Sequence, residues 1–341
     1  MMSKLHDEPP GAITRPSRAG NGKIRSDVVI FVDGAQKETS ALRHAQKVAS
    51  AFQGKVAIVH VMSDASHHTG PIDPVDWNIK KQKNMKWLAG LAETLKGRDQ
   101  ACEVKLLEGP CMGQISSLME QRHQDITAAI RSRNSLGWQV SETACGVLTC
   151  SSAAILMIPE DAIIAQDQRY RRIMVPLDGS ARAEAALPMA TMLANAENAE
   201  LLLCYVLPDS GLSEFGIKDP EVERLHDLVA RQNAQAGEAH LTRVKNSLTH
   251  SGLKISTRIV QGDARRALLD FVSKEAVDFL VMATHGQSGH SDVSTGDVAR
   301  FILDRADIPV LMVRHLRGRS IAHAIKSPSS KGIRQPTGTD G

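Results

Sequence analysis

Aromatic side chains are scarce: phenylalanine, tryptophan and tyrosine together make up 3% of the 341 residues. Such a chain has few rings on which single-stranded nucleic acid would stack, and a net charge of +3 gives it no basic field for a duplex. Nucleic acid is therefore not an expected partner. Long apolar runs are absent too, since no stretch approaches the roughly 18 residues that a membrane helix needs. The opening MMSKLHDEPPGAITRPSRAGNGK holds no apolar core of a secretory signal. These absences predict a cytoplasmic protein with no membrane partner. The five cysteines, Cys102, Cys111, Cys145, Cys150 and Cys204, are odd in number and lack the paired spacing of a zinc site, so they read as reduced packing residues.

What is present is enough apolar material, 42% of the chain, for two cores of ordinary size. Residues 1–25 and 316–341 are rich in Pro, Gly, Ser and basic residues without periodicity, and read as disordered tails. Between them the chain repeats itself. SDVVIFVDGAQKETSALRHAQKVASAFQGKVAIVHVM aligns with RRIMVPLDGSARAEAALPMATMLANAENAELLLCYVL at an offset of 145. LEGPCMGQISSLM matches VQGDARRALLDFV at 153, and AAILMIP matches DIPVLMVR at 155. An offset that changes only at loops is the mark of a duplicated unit. The predicted domains are residues 26–160 and 169–315.

Within each unit, short β-branched runs alternate with longer amphipathic stretches, the pattern of parallel strands joined by crossover helices. Strands are predicted near 27–32, 55–62, 102–107, 126–130 and 154–158, and again at 171–176, 198–206, 253–259, 277–283 and 309–313. Helical spacing covers 180–195, 221–251, 262–274 and 294–306, with Ser180 and Asp263 as N-terminal caps and Gly252 as a stop. The fold class is α/β: two tandem doubly wound, Rossmann-like domains, each with a five-stranded parallel sheet of flavodoxin-like strand pattern. Ligands of such sheets sit at the carboxyl ends of the strands. The last strand of each unit is an apolar edge, which predicts that the halves pair through AAILMIP and IPVLMVR.

The order VPLDGS, YVLPD, VQGDARRALL, VMATHG and IPVLMVR resembles the universal stress protein family over both halves. The resemblance implies a non-catalytic regulatory or binding protein that holds an adenine nucleotide (ATP, ADP or AMP), and a tandem chain that mimics the family's two-chain dimer. Its phosphate loop has Gly-x-x-Gly, nine residues, then Gly followed by Ser or Thr. The counterparts here are Ala283-Thr284-His285-Gly286, QSGHSDVST and Gly296-Asp297. Glycines let the backbone approach phosphate oxygens, and helix-start N–H groups meet the negative charge.

The resemblance maps tentative nucleotide-binding residues onto Asp178, Val206, Ala283, His285, Gly286, Gly289, Gly296, Asp297 and Val298. Asp178 stands for the residue that meets the sugar or base, and Val206 for the one that meets the base through its backbone. Asp178 also reads as part of an Asp-Gly-Ser turn. Asp297 departs from the pattern: an ionised carboxylate accepts but does not donate, and it repels phosphate. Its other reading is a cap for a helix starting near 298. In the first half Ala128, Arg131, Ser141 and Glu142 stand opposite Ala283, Gly286, Gly296 and Asp297, which predicts a half that binds no nucleotide. Arg131 and Arg133 read as exposed loop residues.

His285, His290, Asp292 and Asp297 fit no familiar ligand set, so no metal is expected. His67 and His68 read as exposed loop residues. No Lys occurs in 275–315, and Arg300 falls a turn into its helix, so phosphate transfer lacks an evident cation. The alternatives are a nucleotide-independent interaction module and, with less support, a nucleotide hydrolase. The expected partners are an unknown client protein, the other half of the same chain and, in a homodimer, a second copy.

Overall fold

Runs such as VVIF and AILMIP are apolar at every position, and strands of that kind persist only where helices cover both faces of a parallel sheet. The computed structural model has this architecture. It describes residues 25–34, 38–63, 73–95, 102–134, 137–139, 141–150, 152–165, 167–207, 220–285 and 296–314, and these belong to one unit, Ile24–His315. Both predicted tails lie outside the described residues, apart from Arg25.

The first half runs β1 (Val28–Phe31), α1 (Glu38–Ala51), β2 (Val56–Met62), α2 (Pro74–Leu95), β3 (Cys102–Glu108), α3 (Cys111–Gln121), β4 (Ile126–Asn134), β5 (Gly137–Gln139), α4 (Glu142–Thr149) and β6 (Ala154–Pro159). The second runs β7 (Arg172–Leu177), α5 (Ala181–Glu184), α6 (Leu187–Glu197), β8 (Glu200–Leu207), α7 (Pro220–Ser247), β9 (Ile255–Gln261), α8 (Ala264–Lys274), β10 (Phe279–Ala283), α9 (Asp297–Arg305) and β11 (Val310–Val313). The expected caps are in place. Ser180 Oγ accepts from the Ala183 amide, Asp263 accepts from the Arg265 and Arg266 amides, and Gly252 takes φ +70 after a 3-10 turn.

Ten strands form one sheet in the order β3-β2-β1-β4-β6-β11-β10-β7-β8-β9, and β5 pairs with the outer end of β4. Every pairing inside a half is parallel except β4 with β5. The order within each half corrects one expectation. A flavodoxin-like sheet puts its third strand on the far side of the first, whereas here the third strand is the outer edge and the chain crosses back only for the fourth. Alternation of strand and helix predicts parallel crossovers but carries no signal for where the winding reverses.

The halves meet as expected, through β6 and β11, which pair antiparallel with Leu156 opposite Leu311. Both leucines are 0% exposed. Helices α1, α2, α5, α6 and α7 pack on one face of this sheet and α3, α4, α8 and α9 on the other, each layer with its own apolar core. Cys111, Cys150 and Cys204 contribute to that packing as expected, while Cys145 is exposed. Burial pushes the Cys204 thiol up to about 12.

A polar strap ties the connection between the halves to α1. Ser40 Oγ donates to the Ala162 carbonyl at 2.8 Å, and Arg43 donates to that of Ile164 at 3.2 Å. His44 is buried there, with Nε2 2.9 Å from the Ala162 carbonyl and Nδ1 2.6 Å from the Tyr170 hydroxyl. A carbonyl only accepts, so Nε2 carries the proton and Nδ1 accepts from Tyr170. Burial holds the His44 ring at about 4, far below its usual 6.5, and the nearby Lys47 pushes it the same way. Burial also raises the Tyr170 phenol, which keeps it a donor.

Candidate functional site

The winding reverses between β7 and β10, so the chain leaves their carboxyl ends in opposite directions, and in a doubly wound sheet that is where ligands bind. Asp178 follows β7. Its Oδ1 accepts from the Ser180 amide at 3.0 Å and the Ser180 hydroxyl at 2.6 Å, and Gly179 between them takes φ +83. This is the Asp-Gly-Ser turn that local chemistry predicted, and it fixes one carboxylate oxygen against the helix start. Val206, near the end of β8, is half-buried on the side of α8.

Ala283 ends β10 at 8% exposure, and His285 follows with Nδ1 3.1 Å from the Thr284 hydroxyl. Gly296 then brings the start of α9 back to that strand end: its amide donates to the Thr284 carbonyl at 2.8 Å. A Cβ on Gly296 would stand 3.2 Å from the same carbonyl oxygen, so the residue's small size lets the two segments touch. The structure thus brings Ala283, His285, Gly296, Asp297 and Val298 together. Gly286 and Gly289, with His290 and Asp292, lie outside the described residues, as do His67 and His68.

The cap assigned to Asp297 requires correction. The N-cap is Gly296, at φ −68 and ψ 158, and it has no side chain to accept from the helix; Asp297 is the first helical residue and is exposed. One residue too far along, its carboxylate does not complete the helix start, and its remaining effect on the N–H groups is electrostatic. The first half differs at the matching point. Ser141 has nearly the same backbone angles, φ −62 and ψ 163, but its Oγ accepts from the Ala144 amide at 3.2 Å and closes the start of α4.

Arg131 is a second correction. It lies on β4 and not on an exposed loop: it is 1% exposed, and its guanidinium donates to the Ala306 carbonyl at the end of α9. Burial lowers it to about 10, with Asp304 and Asp307 acting in the other direction. The apolar flank of the repeat hid this, because the partners of Arg131 come from the other half. For Arg133, only the backbone is described.

Two further groups were missed. Arg265, at the start of α8, is held by Asp263 at 3.0 Å and also feels the Asp297 carboxylate; both raise its already high pKa, Asp263 more. The guanidinium lies over the Phe301 ring, 5.9 Å from its centroid. A cation therefore does approach the start of α9, from a helix more than 30 residues away in sequence. Tyr205 is the other. Its ring packs on α7 at Gly237, where a Cβ would stand 3.0 Å away, and its hydroxyl lies 3.9 Å from where a Cβ on Gly179 would be. The repeat itself held the signal: Tyr205, Gly237 and His240 match His60, Asn84 and Trp87, so the large ring has changed from helix to strand. Among the described residues no group of His, Cys, Asp and Glu is arranged to hold a metal ion, and no helix is long and apolar enough to cross a membrane.

A sheet whose winding reverses between β7 and β10, with a helix start brought to the strand ends, defines a tandem doubly wound α/β protein of Rossmann-like type. Residues 169–314 match the Universal stress protein family. One universal stress protein of Methanocaldococcus jannaschii is 29% identical over 148 residues, covering 42% of this chain and 82% of the relative. Another from the same organism is 22% identical over 154 residues and is covered to 95%. The fold is also that of a universal stress protein from Archaeoglobus fulgidus, with TM-score 0.59 at 16% identity over 87% of this chain and 99% of that one. A functionally unknown protein from Pseudomonas aeruginosa gives TM-score 0.52 at 15% identity over 85% and 92%.

Proposed function

We propose that the protein is a non-catalytic binding or regulatory protein that holds an adenine nucleotide in its second half, and that the first half binds none. The observation that carries this reading is the unequal start of the two last helices. The N–H groups at the head of α9 meet no side-chain cap from Gly296, whereas Ser141 satisfies the head of α4. An open helix start at the carboxyl edge of a doubly wound sheet suits an anion. Asp178 and Val206 stand at the base and sugar end of the same edge, and Gly296 at the phosphate end.

Asp297 favours a second reading, an interaction module with no nucleotide. Its exposed carboxylate puts negative charge where phosphates would lie, although Arg265 offsets part of it. Calorimetric titration with ATP and Mg²⁺ separates the two. Asp297→Ser is expected to tighten binding about fivefold, a modest gain because the carboxylate is exposed and screened. Glu142→Ser, the matching change in the first half, is expected to do nothing. No binding by the wild type or by Asp297→Ser would leave the interaction module standing. Steady phosphate release abolished by His285→Ala would instead restore a hydrolase.

A further inference from the structure

Arg131 stands where the second half has Gly286, the position that faces phosphate in the resemblance. It does not close a site in its own half. Its fully buried side chain crosses the seam and donates to the Ala306 carbonyl, one of the unpaired acceptors at the end of α9. Asp304 and Asp307, in and just after the last turn of α9, add negative charge that favours the charged guanidinium. Beyond Arg131 the strand continues to Asn134 and folds back as β5, which lies beside α9. The reciprocal contact comes from Arg314, which donates to the carbonyls of Cys150 and, at 2.5 Å, Leu148 at the end of α4. Each half thus secures the last helix of the other.

We infer that Arg131 and the β4–β5 hairpin are positioning elements for the candidate site: the half without a ligand holds, by its far end, the helix whose head faces the ligand. A nine-residue helix is a rigid rod of about 13 Å, so fixing its last carbonyl fixes the direction of its first N–H groups. A guanidinium at the negative end of the helix dipole and an anion at the positive end also favour the same placement. The affinity part of this inference rests on the nucleotide reading above; the rigidity part does not.

The test is Arg131→Met, which keeps an apolar stem and removes the charged fork, set beside Arg314→Met. Residue-resolved amide exchange is followed at Arg300, bonded to the Gly296 carbonyl, and at Ala306, bonded to that of Ile302. Arg131→Met is expected to speed exchange at both by about tenfold and to weaken ATP binding roughly three- to tenfold. Arg314→Met is expected to speed exchange of the Cys150 amide at the end of α4 and to leave both α9 exchange and ATP affinity unchanged. If Arg131→Met does not fold, Arg131→Lys, with the charge kept and the fork lost, should show the same signs at smaller size. Unchanged exchange at Arg300 overturns the inference, and so does unchanged ATP affinity in a wild type that binds ATP. Should the wild type bind no ATP, the nucleotide reading falls, and exchange at Arg300 alone decides whether the strut positions α9.

Discussion

The two halves share strand order, helix layers and even the backbone angles at the head of their last helix, yet they complete that head differently. Ser141 lends α4 a hydroxyl, while Gly296 leaves α9 without one and touches the end of β10 instead. A duplicated fold keeps its scaffold because the scaffold is set by apolar packing along every strand, where one residue matters little. A site rests on a few positions, and at two of them the halves differ in sequence, Ser141 against Gly296 and Arg131 against Gly286. In the first half the chain after β4 returns as β5, which pairs with β4 and lies beside α9.

The largest effect that tests this comparison is at the seam. Leu156 and Leu311 face each other across β6 and β11 with no exposure, so truncation to Ala leaves a cavity that neither half can close alone. Each substitution is expected to cost about 3 kcal/mol in urea unfolding, and the two costs should agree within about 0.5 kcal/mol if the halves share the seam evenly. A clear inequality, or two unfolding transitions in place of one, would show that one half carries the seam.

Those seam strands also mark how much was legible. AAILMIP and IPVLMVR gave away their place because an apolar edge needs a partner, and the repeat supplied one. Ser180, Asp263 and Gly252 were legible because capping is local chemistry. Arg131 and Arg265 were not: their partners lie 175 residues away in one case and on a neighbouring helix in the other, and no periodicity reports such meetings. The strand order was missed for a like reason, and Asp297 by a single residue, since cap and first helical position differ only in backbone angle.

The next effect breaks the symmetry by acid. His44 of α1 matches Met189 of α6, so only the first half carries a titrating ring where these helices meet. The folded ring sits at about 4 and the unfolded one near 6.5. The unfolded chain therefore takes up the proton first as pH falls. Stability from the neutral ring is complete above about 6.5 and drains away toward 4, with a total of about 3 kcal/mol and about 2 kcal/mol of it gone by pH 5. His44→Met makes the halves alike; it should lower stability at pH 7, where Tyr170 loses its acceptor, and flatten the profile between pH 7 and 5. A variant with the wild-type acid slope would place the titrating group elsewhere.

The smallest effect bears most directly on the difference between the helix heads. Removing the Ser141 hydroxyl by Ser141→Ala leaves the Ala144 amide without its acceptor and should cost about 1 kcal/mol. It should not create a binding site, because Arg131 stays buried across the seam and the hairpin still occupies the loop position. The converse change, Gly296→Ser, offers α9 the hydroxyl that α4 has. Here two terms oppose each other: a cap worth about 1 kcal/mol, against a Cβ placed 3.2 Å from the Thr284 carbonyl, which requires the strand end to give by a few tenths of an ångström. Stability is therefore expected to change by less than about 1 kcal/mol in either direction. Nucleotide affinity is not balanced in this way, since the new hydroxyl competes for the N–H groups that would meet phosphate. A stability near wild type with ATP binding weakened at least about tenfold would tie the open head of α9 to the ligand; undiminished binding by Gly296→Ser would separate the two.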